Sequence, residues 1–284
     1  MMMEISATRR FVNGFMLTLS GICTVLVVSV LFFILGYLLL HGASSLNWDF
    51  FTKLPKPSGE TGGGMANAIV GSGKVLLLAA LIGVPIGFMS GVYLAENSGK
   101  TFAFVIRYVV DLLNGVPSIV IGIVAYALVV RPMRHFSALA GGTALGIMMI
   151  PIAVRTTEEF LRAVPTNIRE GAMALGATKA TTIFTVVIPA AISGLTSGMM
   201  LNLARVAGET APLLFTALGN QFWSSGYLAP IATLPVMIYN YATAPEDDLH
   251  KQAWAAGFVL LTLVLIINVT ARLIIARGPA AQRR

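Results

Sequence analysis

Six stretches of this chain are apolar for long enough to cross a bilayer as a helix, a task that takes about 20 residues at 1.5 Å of rise each. They cover residues 15–40, 65–94, 101–130, 137–154, 189–218 and 251–275. A chain built this way has few options. In lipid every backbone N–H and C=O must be satisfied within its own segment, so long apolar runs become helices. The expected fold class is therefore an all-α polytopic membrane protein with six transmembrane helices. Hydrophobic residues make up 56% of the 284 and charged ones only 11%, a balance no ordinary soluble domain shows.

Arg9 and Arg10 precede the first run, whose length exceeds the ~7–15-residue core of a cleaved signal, so the first helix is expected to stay, with its amino end in the cytoplasm. Residues 42–65 read as an external loop, with Trp48, Phe50 and Phe51 near the interface and Pro55, Pro57 and a glycine cluster breaking regular structure. Residues 219–250 read as a second external segment. Its apolar piece, 227–242, holds Pro230 and Pro235, is too short to span, and is expected to be re-entrant or interfacial. Six spans put Arg9, Arg10, Lys100, Arg155, Arg162, Arg169, Lys179, Arg272, Arg277, Arg283 and Arg284 inside, as the positive-inside rule requires. Both termini are then cytoplasmic. The chain divides into an anchor helix and loop (1–64), a core (65–276) containing a cytoplasmic loop (155–189), and a basic tail (277–284), all one transmembrane domain spanning 1–284.

Several function classes drop out. One cysteine, Cys23, leaves no intrachain disulfide, and His41, His135 and His250 lack ligand spacing, so no metal or cofactor site is expected in the chain. The net charge of +7 is what cytoplasmic loops of a membrane protein carry, and no nucleic acid need be invoked. Gly71-Ser72-Gly73-Lys74 fails as a phosphate loop, because Ala68 stands where the first glycine belongs and Val75 where Ser or Thr must follow the lysine. The chain is not expected to be an enzyme, and any ATP hydrolysis must happen on another polypeptide.

Five ionisable residues fall within spans: Lys74, Arg107, Asp111, Arg205 and Glu209. Each costs at least about 2.5–3.5 kcal/mol to insert, which makes them functional candidates. Arg107/Asp111 and Arg205/Glu209 are spaced i,i+4, so each pair lies on one helix face, with mutual neutralisation an alternative to a role in transport. Arg107, Asp111, Asn114 and Ser118 form one polar stripe, and Asn202, Arg205 and Glu209 another, suggesting a shared hydrophilic path with Thr210 beside it. Arg205 stands roughly 24 Å above Pro189, too deep to reach headgroups. Arg107 lies about 9 Å from Thr101, so an interfacial anchor and a place in the path are both open. Lys74 is expected to snorkel at the outer end of its span. Pro212 removes an N–H and clashes one turn back, so a kink is expected beside Glu209, with a similar interruption at Pro117.

Between the fourth and fifth spans lies Glu170-Gly171-Ala172, three residues, Gly176, nine residues, then Val186-x-Ile188-Pro189. The stretch reads as two short helical pieces with a glycine corner, and Pro189 suits the first turn of the helix that follows. It resembles the EAA loop of importer-type ABC transporter permeases, with Gly171, Val186 and Ile188 as mild departures. The resemblance implies a MetI-like fold and a cytoplasmic coupling role for Glu170, Gly171, Ala172, Gly176, Ile188 and Pro189 against a separate ATPase that binds ATP and Mg. More narrowly, residues 204–213 (ARVAGETAPL), 113–122 (LNGVPSIVIG) and Tyr93-Leu94-Ala95-Glu96 resemble the PstA-type permeases of phosphate importers. That likeness implies a prokaryotic inner-membrane location, phosphate as substrate, and a PstC-type permease, a PstB-type ATPase dimer and an extracellular PstS-type binding protein as partners. A permease for sulfate, molybdate or a phosphonate, and an ATP-independent anion carrier, remain as alternatives.

Overall fold

The computed structural model describes residues 7–276 apart from 58, 59 and 61; the basic tail expected at 277–284 lies outside the described residues. Its elements are α1 (Ala7–Ser44), α2 (Trp48–Thr52), α3 (Ala66–Glu96), α4 (Thr101–Gly115), α5 (Ser118–Ala125), α6 (Arg131–Met133), α7 (Ala138–Arg162), α8 (Thr166–Ala174), α9 (Lys179–Thr182), α10 (Ile188–Ala207), α11 (Ala211–Leu214), α12 (Leu234–Ala242) and α13 (Asp247–Ala276). Five helices are long and apolar enough to cross a membrane, and a sixth span results if α4 and the helix from Ser118 to Met133 count as one. An all-helical fold with six apolar segments is thus what the chain adopts.

The centre is the pair α3 and α7. Gly83, Gly87 and Gly91, four residues apart, line the α3 face that meets α7; a Cβ on them would stand 2.6, 2.3 and 2.4 Å from the Cβ atoms of Met149, Ala153 and Thr157. On α7, Gly142 and Gly146 receive Leu78 and Ile82 in return. Lipid tails are as apolar as leucine, so helices associate through close van der Waals packing, and small residues permit it. Val75, Leu76, Ala79, Leu145, Met149, Val206 and Leu213 form the adjoining core, which brings α10 and α11 against this pair. A second cluster, Phe50, Met65, Leu234, Ala255 and Ala256, holds α2 and α12 to the N-terminal ends of α3 and α13. There α12 is nine residues long, about 13 Å, too short to span. Helix α1 meets the rest of the chain near its C-terminal end, where Gly42 seats on Phe258 and Tyr37 lies edge-on to Trp254 at 5.0 Å.

Several helix boundaries differ from the sequence-based expectations, each for a local reason. The third span is not one helix: α4 and the helix after it are bent by 104° at Val116-Pro117. Val116 takes φ −74°, ψ 128°, the extended conformation that a following proline enforces. Helix α7 runs eight residues past the expected end at Val154, so Arg155 and Glu158 belong to its last turns rather than to an open loop. The fifth span starts early, as one apolar helix over Lys179–Ala207. Pro189 falls in the first turn of α10, as expected, but that helix is entered from α9 without a break. The chain accommodates it with a π-helical turn, Ile183–Val187, whose Ile188 N–H reaches back to the Ile183 carbonyl. A like π turn, Tyr126–Val130, precedes Pro132. The expected kink at Pro212 is a full break: α10 stops at Ala207, residues 208–210 are non-helical, and Pro212 falls in the first turn of α11.

Candidate functional site

Two regions hold the residues singled out above. The first is the junction of the two broken helices. Gly122 of α5 lies against Pro212 of α11, so close that a Cβ on Gly122 would be 2.6 Å from the Pro212 Cα. This contact brings the 113–122 and 204–213 segments together. Arg205, in the last turn of α10, is exposed, and Glu209, in the break, is half-buried. Of the two readings, the Arg205/Glu209 ion pair does not form: neither side chain has a hydrogen-bond or ion-pair partner among the described residues. The i,i+4 spacing needs a continuous helix, and this one ends between the two. One guanidinium and one carboxylate are consequently left unspent at a helix break. Thr210 lies half-buried beside them.

Asn202 belongs to the packing instead of the stripe. It is 1% exposed, and its amide Nδ2 donates to the Met149 carbonyl at 2.9 Å, tying α10 to α7. Asn114 stays exposed at the end of α4, while Ser118 lies beyond the bend, so the stripe expected along one helix stops at the corner. Lys74 is half-buried and places its Nζ 5.8 Å from the Tyr227 ring centroid. A cavity of about 330 Å³ between the 218–221 turn and α12 is lined by Asn220, Gln221, Asn240 and Tyr241, with no cation among the described residues that line it. Burial raises the Tyr241 phenol pKa, which keeps that hydroxyl neutral.

The second region lies at the other end of α3. Here the Arg107/Asp111 pair is also replaced by longer-range partners. Arg107 Nε donates to Glu158 at 2.7 Å, and its other nitrogens donate to the carbonyls of Ser98 and Leu94. Asp111 accepts from Arg155. Glu158, with a side chain 6% exposed, also receives Arg155 at 3.5 Å and Arg162 at 2.9 Å. A carboxylate this deep needs such donors, since an unpaired buried charge is costly. Arg155 and Arg162 stand at i,i+3 and i,i+4 from Glu158 on α7, where helical spacing could have named them; Arg107 comes from α4, and no spacing rule names it.

Beside this cluster the 155–189 loop forms the two helical pieces expected of it, α8 and α9. Gly176 has φ +89°. Its N–H donates to the Met173 carbonyl and the Ala177 N–H to the Ala172 carbonyl, the paired bonds of a Schellman helix ending. Glu170 and Gly171 are exposed and Ala172 half-buried, while Ile188 and Pro189 lie on the helix that follows. Leu175, at the tip, is 91% exposed, and Ile168 and Met173 are exposed beside it. A small apolar knob thus projects from the fold with nothing covering it.

Comparison with known proteins places this architecture. Residues 83–277 match the family model described as binding-protein-dependent transport system inner membrane component. The chain is 44% identical over 273 residues to the phosphate transport system permease protein PstA of Yersinia pestis, covering 95% of this chain and 92% of that one. It is 43% identical over 266 residues to the PstA of Haemophilus influenzae, covering 93% and 94%. The chain belongs to the PstA family. This is a family of multi-pass membrane permeases, not of enzymes. A more distant member, the probable PstA of Methanocaldococcus jannaschii, is 37% identical over 211 residues, 74% of this chain and 75% of that one. Among solved structures, an inward-facing MetNI methionine ABC transporter aligns with a TM-score of 0.56 at 20% identity, covering 75% of this chain and 94% of that one. A bacterial alginate ABC transporter aligns with a TM-score of 0.64 at 13% identity, covering 95% and 97%. Both likenesses bear on the fold alone, and both are to chains of ABC transporters.

Proposed function

We propose that this chain is the PstA-type permease subunit of an ATP-driven phosphate importer, forming half of the translocation path and coupling it to a separate ATPase. The observation that carries the reading is the junction of the two broken segments, where Arg205 is left without an internal partner beside half-buried Glu209. An arginine stays charged at any working pH and offers donors matched to phosphate oxygens. Phosphate retains a proton at neutral pH and sulfate does not, so Glu209 accepts that proton's hydrogen bond and repels the sulfate dianion. Thr210, Asn114 and Ser118 complete the path near the junction, and Arg107 and Asp111 stand at its inner end. Non-helical backbone at membrane depth is tolerated where it lines a water-filled cavity, which fits the gap at residues 208–210.

Both termini and the 155–189 loop face the cytoplasm in this scheme. The Glu170–Pro189 stretch, with Gly171, Ala172, Gly176 and Ile188, seats in a PstB-type ATPase dimer that binds ATP and Mg, this chain holding no cofactor of its own. A PstC-type permease supplies the other half of the path, and a PstS-type protein delivers phosphate from outside. Reconstitution of the four proteins in proteoliposomes tests the reading. ATP-dependent uptake of phosphate but not sulfate is expected, with Glu209→Gln narrowing that preference. Uptake by the purified chain alone, or equal uptake of sulfate or molybdate, would overturn it.

A further inference from the structure

The coupling loop is held to the membrane helices in an unusual way. Helix α8 buries no residue at all, and α9 buries only Thr182. Apolar packing resumes only at Val187, which joins Ala191 and Leu195 against Leu161 and Val164. A thrust delivered at the exposed tip therefore has little greasy contact through which to reach the spans. What it does have is Glu96, the last residue of α3, whose side chain is 11% exposed. Arg169 of α8, 17% exposed, donates to one Glu96 oxygen, and Lys179 of α9 lies 3.4 Å from the other. Lys179 also donates to the Glu96 carbonyl, and Arg169 to the carbonyl of Leu161 near the end of α7. One carboxylate thus holds both limbs of the loop, one before the Gly176 corner and one after it. The cations sit at a helix C-terminus, where the macrodipole favours them. Helix α3 is also the partner that α7 grips through Gly83, Gly87 and Gly91.

We infer that Glu96 is the positioning residue that transmits movement of the coupling loop to the α3–α7 pair. The inference rests on the permease reading above and goes beyond it by naming where the stroke enters the membrane. A half-buried, charge-assisted pair suits the role because it carries pull as well as push, which an apolar contact does not.

The test uses the complete four-protein complex in proteoliposomes, reading phosphate taken up per ATP hydrolysed, with co-purifying ATPase as the measure of assembly. Glu96→Gln keeps the size and removes the charge. It is expected to assemble and hydrolyse ATP while phosphate per ATP falls by about fivefold or more, the low end of coupling between sites. Arg169→Gln should behave alike, and the double variant should lose less than the two single losses combined, since the Arg169–Glu96 pair is common to both. Lys179→Gln should do less, its side chain being 61% exposed. If Glu96→Gln keeps the wild-type ratio, or if its loss of uptake is wholly accounted for by less assembled complex, the inference is wrong. A wild-type complex that shows no ATP-dependent phosphate uptake would instead sink the permease reading, and this inference with it.

Discussion

Gly122 and Pro212 meet backbone to backbone, with no room for a single methyl group between α5 and α11. Each residue belongs to a helix that the chain has already broken, at Pro117 and at Gly208, so the contact joins two corners instead of two rods. The corners are what place Arg205 and Glu209 at the junction.

Adding a methyl there should separate them. Gly122→Ala is expected to cost about 1–3 kcal/mol, the range for overpacking a tight site, and Gly122→Val more. Thermal unfolding of the purified complex measures the cost, and phosphate uptake should fall further than stability does. Unaltered unfolding and uptake in Gly122→Val would show that the junction is not tight in the membrane.

Arg205 and Asn202 lie within one turn of each other and should give opposite results. Arg205→Gln removes an exposed group with no internal partner, so stability should move by no more than about 0.5 kcal/mol. Uptake should drop about tenfold or more, the worth of a hydrogen bond to a charged group. Asn202→Ala loses the buried bond to the Met149 carbonyl and should cost about 1–3 kcal/mol of stability. Its transport, per folded complex, should persist. A combined uptake and unfolding assay on both variants separates the two roles.

Much of this arrangement was legible in the residues, and the divide has a physical cause. The 170–189 loop could be drawn from Gly176 and the two helical pieces because a turn is a local matter. The breaks followed from Pro117 and Pro212 for the same reason. The GxxxGxxxG run of α3 was equally open to reading, since its spacing of four alone places Gly83, Gly87 and Gly91 on one face. The ion pairs were not legible. Spacing of i,i+4 joined Arg107 to Asp111 and Arg205 to Glu209, yet Arg107 went to Glu158, 51 residues away, and Asp111 to Arg155, 44 residues away. Arg155 and Arg162 do stand at helical spacing from Glu158, but the Arg107 contact is made by the packing of α4 on α7, and sequence distance says nothing of that.

Glu158 illustrates the consequence and can be tested by itself. Glu158→Gln leaves three guanidiniums around a neutral amide. A hydrogen bond to a charged group is worth about 1.5–3 kcal/mol, but Arg155 and Arg162 are 39% and 43% exposed and contribute less through solvent screening. Arg107, 20% exposed, should dominate. The expected cost is about 1.5–3 kcal/mol, read from thermal unfolding, and high salt should change it little. Asp111→Asn, touching a pair 57% exposed on its acidic side, should cost much less.

The glycine corner provides the sharpest separation of strain from packing. A Cβ on Gly176 would meet nothing within 4 Å, so any effect of substitution comes from φ +89° alone. Asparagine tolerates left-handed backbone better than alanine, and a β-branched residue worst. Gly176→Asn, Gly176→Ala and Gly176→Val should therefore impair phosphate uptake per ATP in that rising order, the alanine costing about 1–2 kcal/mol at the corner. The knob buries almost nothing, so the unfolding temperature of the isolated chain should barely follow the same order. If uptake instead tracked side-chain volume irrespective of branching, the ATPase groove would be rejecting bulk, and the corner's backbone would not be the controlling feature.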